Sequence, residues 1–388
     1  MKRLYYESSY IKNFTASVTG CRERKDGSWE ITLDQTAFFP EGGGQPWDTG
    51  TLGGADVLEV HERDGEVIHY TDRPLEAGSQ VEGCLDWERR FDHMQGHSGE
   101  HILTGCIHRR FGYDNVGFHM GSEEITIDFN GLLTGEELDE MEREANEAIY
   151  RNLPVQILTP SPEELENMEY RSKKELSGQV RITVIPGVDV CACCGTHVEH
   201  TGEVGLIKVL GMIHYKGGVR ISLLCGRKAL LHTAKRQKQI ASLSVLLAAK
   251  QDEVPAAVER LKAEKEKLEM ELSRMRQAQT EAKAAALPER SGGLAVFEEM
   301  DPVQLRRYCT LLYEGGKGDI VLACARRGDG CLYVLGSSKR DMRSFSKKLN
   351  GLLRGKGGGS SLMAQGTFQA EEEEIRRAFE ACVKEELK

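Results

Sequence analysis

The sequence predicts an α+β multidomain chain. Residues 1–85 read as a β-barrel-like domain and 86–228 as an α/β domain rich in Cys and His. Residues 229–288 read as a helical arm or coiled coil, and 289–388 as a second α/β domain. Three observations carry this. The length of 388 residues exceeds what one ordinary core holds. Strand-like runs alone fill the first 85 residues. A long helical stretch with few breakers then separates two regions that mix both patterns.

In 1–85, "SWEITLDQTAFF" and "EVIHYTDR" carry β-branched and aromatic residues between Gly, Asp and Asn breaks. Phe39 to Gly50 reads "FPEGGGQPWDTG", where three consecutive glycines permit backbone torsions and close approaches that a Cβ forbids. In 86–228, "RRFDHMQGHSGEHILTGCIHRRFG" predicts a helix ending at Gly112, and "EEITIDFNG" predicts a strand. Thr134, with Glu137 three residues on, predicts the capped start of another helix. "QVRITVIPGVDV" predicts a strand running into the cysteine cluster. In the arm, Val254, Val258, Leu261, Leu268, Leu272 and Met275 recur at helical steps, and Pro255 marks the start of a second helix. An antiparallel helical hairpin fits this pattern as well. Beyond 289, "GLAVFEE", "DIVLACAR" and "CLYVLGS" predict strands. "KGGGSSLMAQG" from Lys356 reads as a second glycine-rich loop, and Glu371 to Lys388 as a charged helix.

Composition is that of a water-soluble chain, 39% hydrophobic and 29% charged, with no apolar run of membrane-spanning length. The start lacks an apolar signal core, so a cytoplasmic location is expected. In that setting eleven cysteines point to metal or redox chemistry rather than disulfides. The net charge of −10 argues against nucleic acid as a whole-chain partner. From Asp301 to Phe368, however, Lys and Arg outnumber Asp and Glu, which favours an anionic partner there.

His97 and His101, four apart on the predicted helix, share one face as bidentate metal binding requires. Cys193 and His197 repeat the spacing in "CACCGTH". Two such pairs on separate elements match a four-donor zinc site of mixed N and S ligands, one ion per chain. Cys191 shares a face with Cys193 if the strand continues, and Cys194 points away. Both read as packing or outer-shell residues. His93, one turn before His97, reads as a solvated or hydrogen-bonded side chain.

Together these residues resemble the editing domain of alanyl-tRNA synthetase and its free-standing AlaX-type relatives. "GHSGEHIL" matches the family's His-x3-His helix. "CCGTH" matches its Cys-Gly-Gly-Thr-His, with Cys194 where the family usually has Gly. "TAFFPEGGGQPWDTG" is similar to its glycine motif, and "GKGGGSSLMAQG" to the glycine loop of a DHHA1-type C-terminal domain. The likeness covers nearly the whole chain. It implies a long AlaX form, with a zinc-containing editing (deacylase) domain and a DHHA1-like tRNA-binding domain. The partner it implies is tRNA(Ala) wrongly carrying Ser or Gly, whose ester would be hydrolysed, with no charging activity. No membrane partner is expected. A homodimer through the arm or the C-terminal domain is the further association to test.

For the chemistry, the resemblance assigns Thr36 to reading the serine hydroxyl; Gln45 closes the loop and can offer an amide, and the two are the catalytic candidates. A site that bonds a hydroxyl rejects the analogue lacking it far better than an apolar pocket does. Unpaired N–H groups of Gly42, Gly43 and Gly44 would meet a phosphate or carbonyl oxygen, and Lys356, Gly357, Gly358 and Gly359 would bind substrate in the C-terminal domain. With three protein ligands zinc acidifies a water; with four it is closed and positions the RNA end. The two rivals are a phosphoesterase, which lacks its Asp-His-His motif here, and a zinc-containing tRNA-binding protein without catalysis.

Overall fold

In the computed structural model, residues 1–172, 180–328 and 330–387 are described. Gln179, at the head of one predicted strand, Asp329 and Lys388 lie outside the described residues. The chain is multidomain α+β and divides into two compact units, Met1–Ser242 and Leu243–Lys388.

Unit 1 begins with a closed six-stranded barrel. Its strands run Asn13–Glu23, Trp29–Leu33, Glu66–Thr71, Ala55–Arg63, Gly50–Leu52 and Gln80–Leu85 around the wall. Inward residues alternate with polar ones, and Phe14, Val18, Ile31, Leu33, Leu52 and Val67 fill the interior. Helix α1, Trp87–Phe111, follows directly. Asp86 caps its start, and Gly112 in the left-handed region (φ 71°) ends it. Nearly every residue of α1 from His93 to Ile107 is buried. A wholly buried helix is usually apolar; this one carries His93, Gln95, His97, Ser98, Glu100 and His101, so its polar groups need specific partners.

Those partners come from elements packed around α1. A four-stranded antiparallel sheet runs Ile207–Tyr215, Gly218–Cys225, Ile125–Phe129, Asn115–Met120. Helix α2, Gly135–Tyr150, carries the expected capping box, with Glu137 N–H donating to Thr134 Oγ1 at 3.2 Å and Thr134 N–H to Glu137 Oε2 at 2.8 Å. Met94, Ile102, Leu103, Ile127, Phe129, Met141 and Leu223 form their common core. Beyond the short helix α3, Pro162–Glu166, a three-stranded sheet joins Gln156–Leu158, Ile182–Ile185 and Asp189–Ala192. The stretch read as one strand, "QVRITVIPGVDV", is therefore a hairpin over its described part: Gly187 (φ 67°) follows Pro186, and Val188 N–H closes on Ile185 O at 2.9 Å. The strand ends at Ala192, so Cys193 leaves the sheet rather than sharing a strand face with Cys191. Helix α4, Gly226–Leu246, is the last element of unit 1, whose boundary at Ser242 falls within the helix.

In unit 2, helix α5 spans Val254–Ala286 with Pro255 in its first turn. A five-stranded sheet runs Gly293–Phe297, Ile320–Arg327, Gly330–Gly336, Met363–Phe368, Lys356–Gly359. Helix α6, Pro302–Glu314, and Ala284 of α5 cover one face; α7, Met342–Leu352, and α8, Glu372–Glu386, cover the other. The second glycine-rich stretch is thus an edge strand and hairpin, not an open loop. A Cβ on Gly357 would lie 2.3 Å from Gln365 O, and one on Gly359 2.1 Å from Met363 O. The basic block is also less bare than its composition suggests. Lys348 pairs with Glu385, Arg354 with Glu374 and Arg326 with Glu371, all from the acidic tail segment. No helix among the described residues is long and apolar enough to cross a membrane.

Candidate metal centre

Four side chains converge where α1 meets the turn after the Asp189–Ala192 strand. One donor atom from each of His97, His101, Cys193 and His197 lies within 4.8 Å of all the others. Cys193 Sγ sits 3.3 Å from His97 Nε2 and 3.3 Å from His197 Nε2. A tetrahedral zinc with Zn–S near 2.3 Å and Zn–N near 2.0 Å has S···N edges of roughly 3.5 Å, so these separations suit it. The three imidazoles are enclosed, His97 and His101 each at 1% exposure and His197 at 4%, while Cys193 is half-buried.

The opposite ring nitrogens are each tied off. His97 Nδ1 meets Gln45 Oε1 at 2.9 Å, His101 Nδ1 meets Asp189 Oδ2 at 2.8 Å, and His197 Nδ1 meets Ser98 Oγ at 3.2 Å. Such contacts fix the tautomer that leaves Nε2 with a free lone pair. His101 Nε2 is buried with no hydrogen-bond partner among the described residues, an expensive state unless something else takes the lone pair. The donor set therefore fits zinc.

Electrostatics agree. Burial opposes charge on Cys193, but His97, His197 and His101 outweigh it and hold the thiol well below its usual range. The exception is His101: burial opposes its protonation, but Glu100, Cys193 and Asp189 overcome this and raise its pKa well above the usual range, so a metal has to displace that proton to reach Nε2. His197 goes the other way, pushed down to about 4 by burial against the pull of Cys193. Asp189 is itself gripped by Arg171 through two bonds of 2.8 Å.

The turn needs its glycine. A Cβ on Gly195 would lie 2.1 Å from the His97 ring, so no other residue lets the cysteine turn approach α1 this closely. Gly44 (φ 87°) plays the same part for the first glycine motif, where a Cβ would lie 2.6 Å from Phe118, whose ring stacks on His97. Gln45 thereby reaches the centre. Its Oε1 also accepts from Thr196 N–H at 3.1 Å, and its amide donates to Thr196 Oγ1 at 2.9 Å.

Not every expected residue arrives as read. Gly42 N–H is not unpaired: it donates to Gln45 O at 3.0 Å, and Gln45 N–H returns to Gly42 O. Thr36 is fully buried among barrel residues. Burial lowers the pKa of His69 to about 4, so its Nδ1–H donates to Ile31 O. Its Nε2 then accepts from the Thr36 hydroxyl at 2.8 Å, while Phe38 N–H donates to Thr36 Oγ1. His93 is neither solvated nor bonded at Nδ1 among the described residues; burial pushes it down to about 3. Cys191 is buried beside His101 and Asp189, and Cys194 is exposed.

Sequence reasoning missed the outer partners Asp189, Arg171 and Ser98. It also missed a fully buried ion pair, Asp48 with Arg90, that ties the glycine motif to α1. Arg90 donates to Asp48 and to Ala37 O at 2.6 Å, and Asp48 accepts from Phe39 N–H at 2.6 Å. The usable signal was an Asp four residues before Cys193, a carboxylate beside a Cys/His cluster.

The family described as "Threonyl and Alanyl tRNA synthetase second additional domain" matches residues 180–226. The chain is 30% identical to "Alanyl-tRNA editing protein AlaX-L" of Pyrococcus horikoshii, over 97% of this chain and 96% of that one. It is 34% identical to "Alanyl-tRNA editing protein Aarsd1" of Danio rerio, over 65% of each chain. With the Rattus norvegicus protein of that name it is 36% identical over 54% of this chain, a match spanning only 55% of the rat protein. A solved structure, the C-Ala domain from Aquifex aeolicus alanyl-tRNA synthetase, is 24% identical over 25% of this chain and 92% of that one, with a TM-score of 0.21.

Proposed function

This chain belongs to the AlaX-type family of alanyl-tRNA editing proteins, and on that premise we propose that it is an aminoacyl-tRNA deacylase that hydrolyses the ester of tRNA(Ala) wrongly carrying serine or glycine. The observation that carries the reading is the convergence of three imidazole Nε2 atoms and one thiolate, each imidazole held from behind by its own partner. His97, His101, Cys193 and His197 would hold one zinc, which when bound supplies positive charge beside the ester. The chain's own part is positional. Gln45, Asp189 and Ser98 orient the imidazoles. The glycine hairpin holds Gln45 at the centre. The test is release of serine from Ser-tRNA(Ala) by the purified chain. Ester loss that persists without His97 and Cys193 would contradict the reading.

Thr36 is proposed to read serine. Its proton is given to His69 and one lone pair to Phe38 N–H, so one lone pair remains to accept from a substrate hydroxyl. Thr36→Val removes this acceptor, and serine release should slow more than glycine release from the matching tRNAs. The variant also strands His69, so unit 1 should lose about 1–3 kcal/mol of stability. Equal slowing on both substrates would remove Thr36 from specificity.

The four-part organisation at 1–85, 86–228, 229–288 and 289–388 belongs to this proposal, with the last part as the DHHA1-like tRNA-binding domain. Lys347 and Lys356 are exposed and have no acidic partner among the described residues, unlike Lys348 and Arg354. We expect Lys347→Glu with Lys356→Glu to raise KM for charged tRNA while kcat changes little. Each lost phosphate contact should flatten the salt dependence by about one in slope. An unchanged KM at physiological salt would refute the role of Lys356 and the Gly357–Gly359 strand. A second contact of this kind raises effective concentration at the first.

Along α5, Leu261, Leu268 and Met275 recur every seven residues at 56%, 57% and 71% exposure, an open coiled-coil seam. Pairing of two copies through it is the association proposed. Sedimentation of the full chain should give the dimer mass, and Leu268→Glu the monomer mass. A wild-type monomer at all concentrations would exclude it.

A further inference from the structure

A cleft of about 660 Å³ in unit 1 is bordered by Arg3, Tyr5, Tyr6, Arg181, Cys194 and His197. His197 makes it a neighbour of the metal centre; the other five have no part in the site described above. Its volume falls in the range of roughly 300–1,000 Å³ usual for small-ligand sites.

Three features of the cleft await a ligand. The Arg181 guanidinium lies 4.2 Å over the Tyr6 ring. It is held there by the carbonyls of Cys194 at 3.2 Å and Gly195 at 3.4 Å, and it has no carboxylate partner among the described residues. Arg3, by contrast, is already paired with Glu62 at 2.7 Å. Tyr5 is 1% exposed, and its hydroxyl has no hydrogen-bond partner among the described residues. Buried hydroxyls are nearly always bonded, so this one is open to an acceptor that enters the cleft, a water or a ligand. Of the two carboxylates that also border the cleft, Glu7 is held by Lys2 at 2.8 Å and Glu199 is exposed.

An aromatic face, a guanidinium without a counter-ion and an orphan hydroxyl match the three parts of a nucleotide. A base stacks on the aromatic–Arg pair, a phosphate meets the guanidinium, and the hydroxyl reaches a ribose or base acceptor. We infer that this cleft receives the terminal nucleotide of the RNA strand whose ester is presented to the metal centre; the inference rests on the deacylase reading. Tyr6 and Arg181 are then substrate-binding residues, and Cys194 is the thiol beside the bound nucleotide.

The experiment uses the zinc-loaded full chain and adenosine monophosphate as probe. Cys194 and Cys84 are the exposed cysteines, so Cys84 serves as the internal control for alkylation by iodoacetamide. The nucleotide should slow alkylation of Cys194 several-fold and leave Cys84 unchanged. Tyr6→Ala and Arg181→Gln should each abolish that protection and raise KM for Ser-tRNA(Ala) by about tenfold, with kcat and zinc content little changed. Tyr6→Phe should restore both. If Tyr6→Ala fails to hold zinc, Arg181→Gln carries the test. Deacylation with no protection of Cys194 and unchanged KM in the variants would overturn the cleft while leaving the deacylase reading intact. Protection that Tyr6→Ala removes, in a chain that releases no serine, would uphold a nucleotide site and overturn the deacylase reading instead.

Discussion

Cys193→Ala is expected to strip the metal and, with it, nearly all deacylation. Cys193 supplies the one anionic donor among three imidazoles, and those imidazoles are what hold its thiol well below the usual range. Removing it leaves three imidazole lone pairs facing a hole. Affinity should fall by more than the roughly 10–100-fold that the loss of an outer-shell partner costs. Activity should fall by about 10²–10³-fold, as when one preorganised electrostatic group is deleted from an active site. Zinc per chain after exchange against a chromophoric chelator measures the first, and serine release the second. A Cys193→Ala chain that keeps one tight zinc would show that the four donors are not the ligand set.

Asp48→Ala should be the most destabilising single change in unit 1. Asp48 and Arg90 are both 0% exposed, so the variant leaves an uncompensated guanidinium in the core. Orphaning one member of a buried pair costs about 3–5 kcal/mol. The damage has a direction as well. Asp48 accepts from Phe39 N–H and donates its own N–H to Phe39 O at 3.0 Å, which closes the loop that delivers Gln45 to His97. Zinc affinity should therefore fall along with stability. The three tryptophans, Trp29, Trp47 and Trp87, all lie in unit 1, so their fluorescence in urea follows its unfolding alone. A shift worth less than about 1 kcal/mol would mean that the pair is dispensable.

The clustering of His97, His101, Cys193 and His197 was readable because its signal is local. Two pairs at four-residue spacing can be seen without knowing the fold, and so can the Thr134–Glu137 cap and the Gly112 stop. What could not be read was whatever depends on distant segments meeting. Gln45 reaches His97 across 52 residues and Asp189 reaches His101 across 88, so nothing in either neighbourhood marks them as partners. Arg90 looked like one more helix charge, although its counter-ion lies 42 residues upstream. The Gly357–Gly359 strand misled because glycine is a poor strand former; here the neighbouring backbone leaves no room for a Cβ, which a sequence does not display. The Pro186-Gly187 turn was a missed local signal, since that dipeptide is strong turn punctuation. The basic block of unit 2 misled for another reason: counter-charges for Arg326, Lys348 and Arg354 sit on the acidic tail beyond Phe368.

The central claim is that a zinc-holding site in this chain removes the wrong amino acid from tRNA(Ala). The most direct test is to incubate the zinc-loaded chain, in parallel, with Ser-tRNA(Ala) and Ala-tRNA(Ala) and follow release of the amino acid. Serine should be released faster than alanine by roughly 10⁴-fold, the scale on which a site built to hydrogen-bond a hydroxyl rejects an analogue lacking it. Release of both amino acids at equal rates, or of neither while one zinc remains bound per chain, would contradict the account.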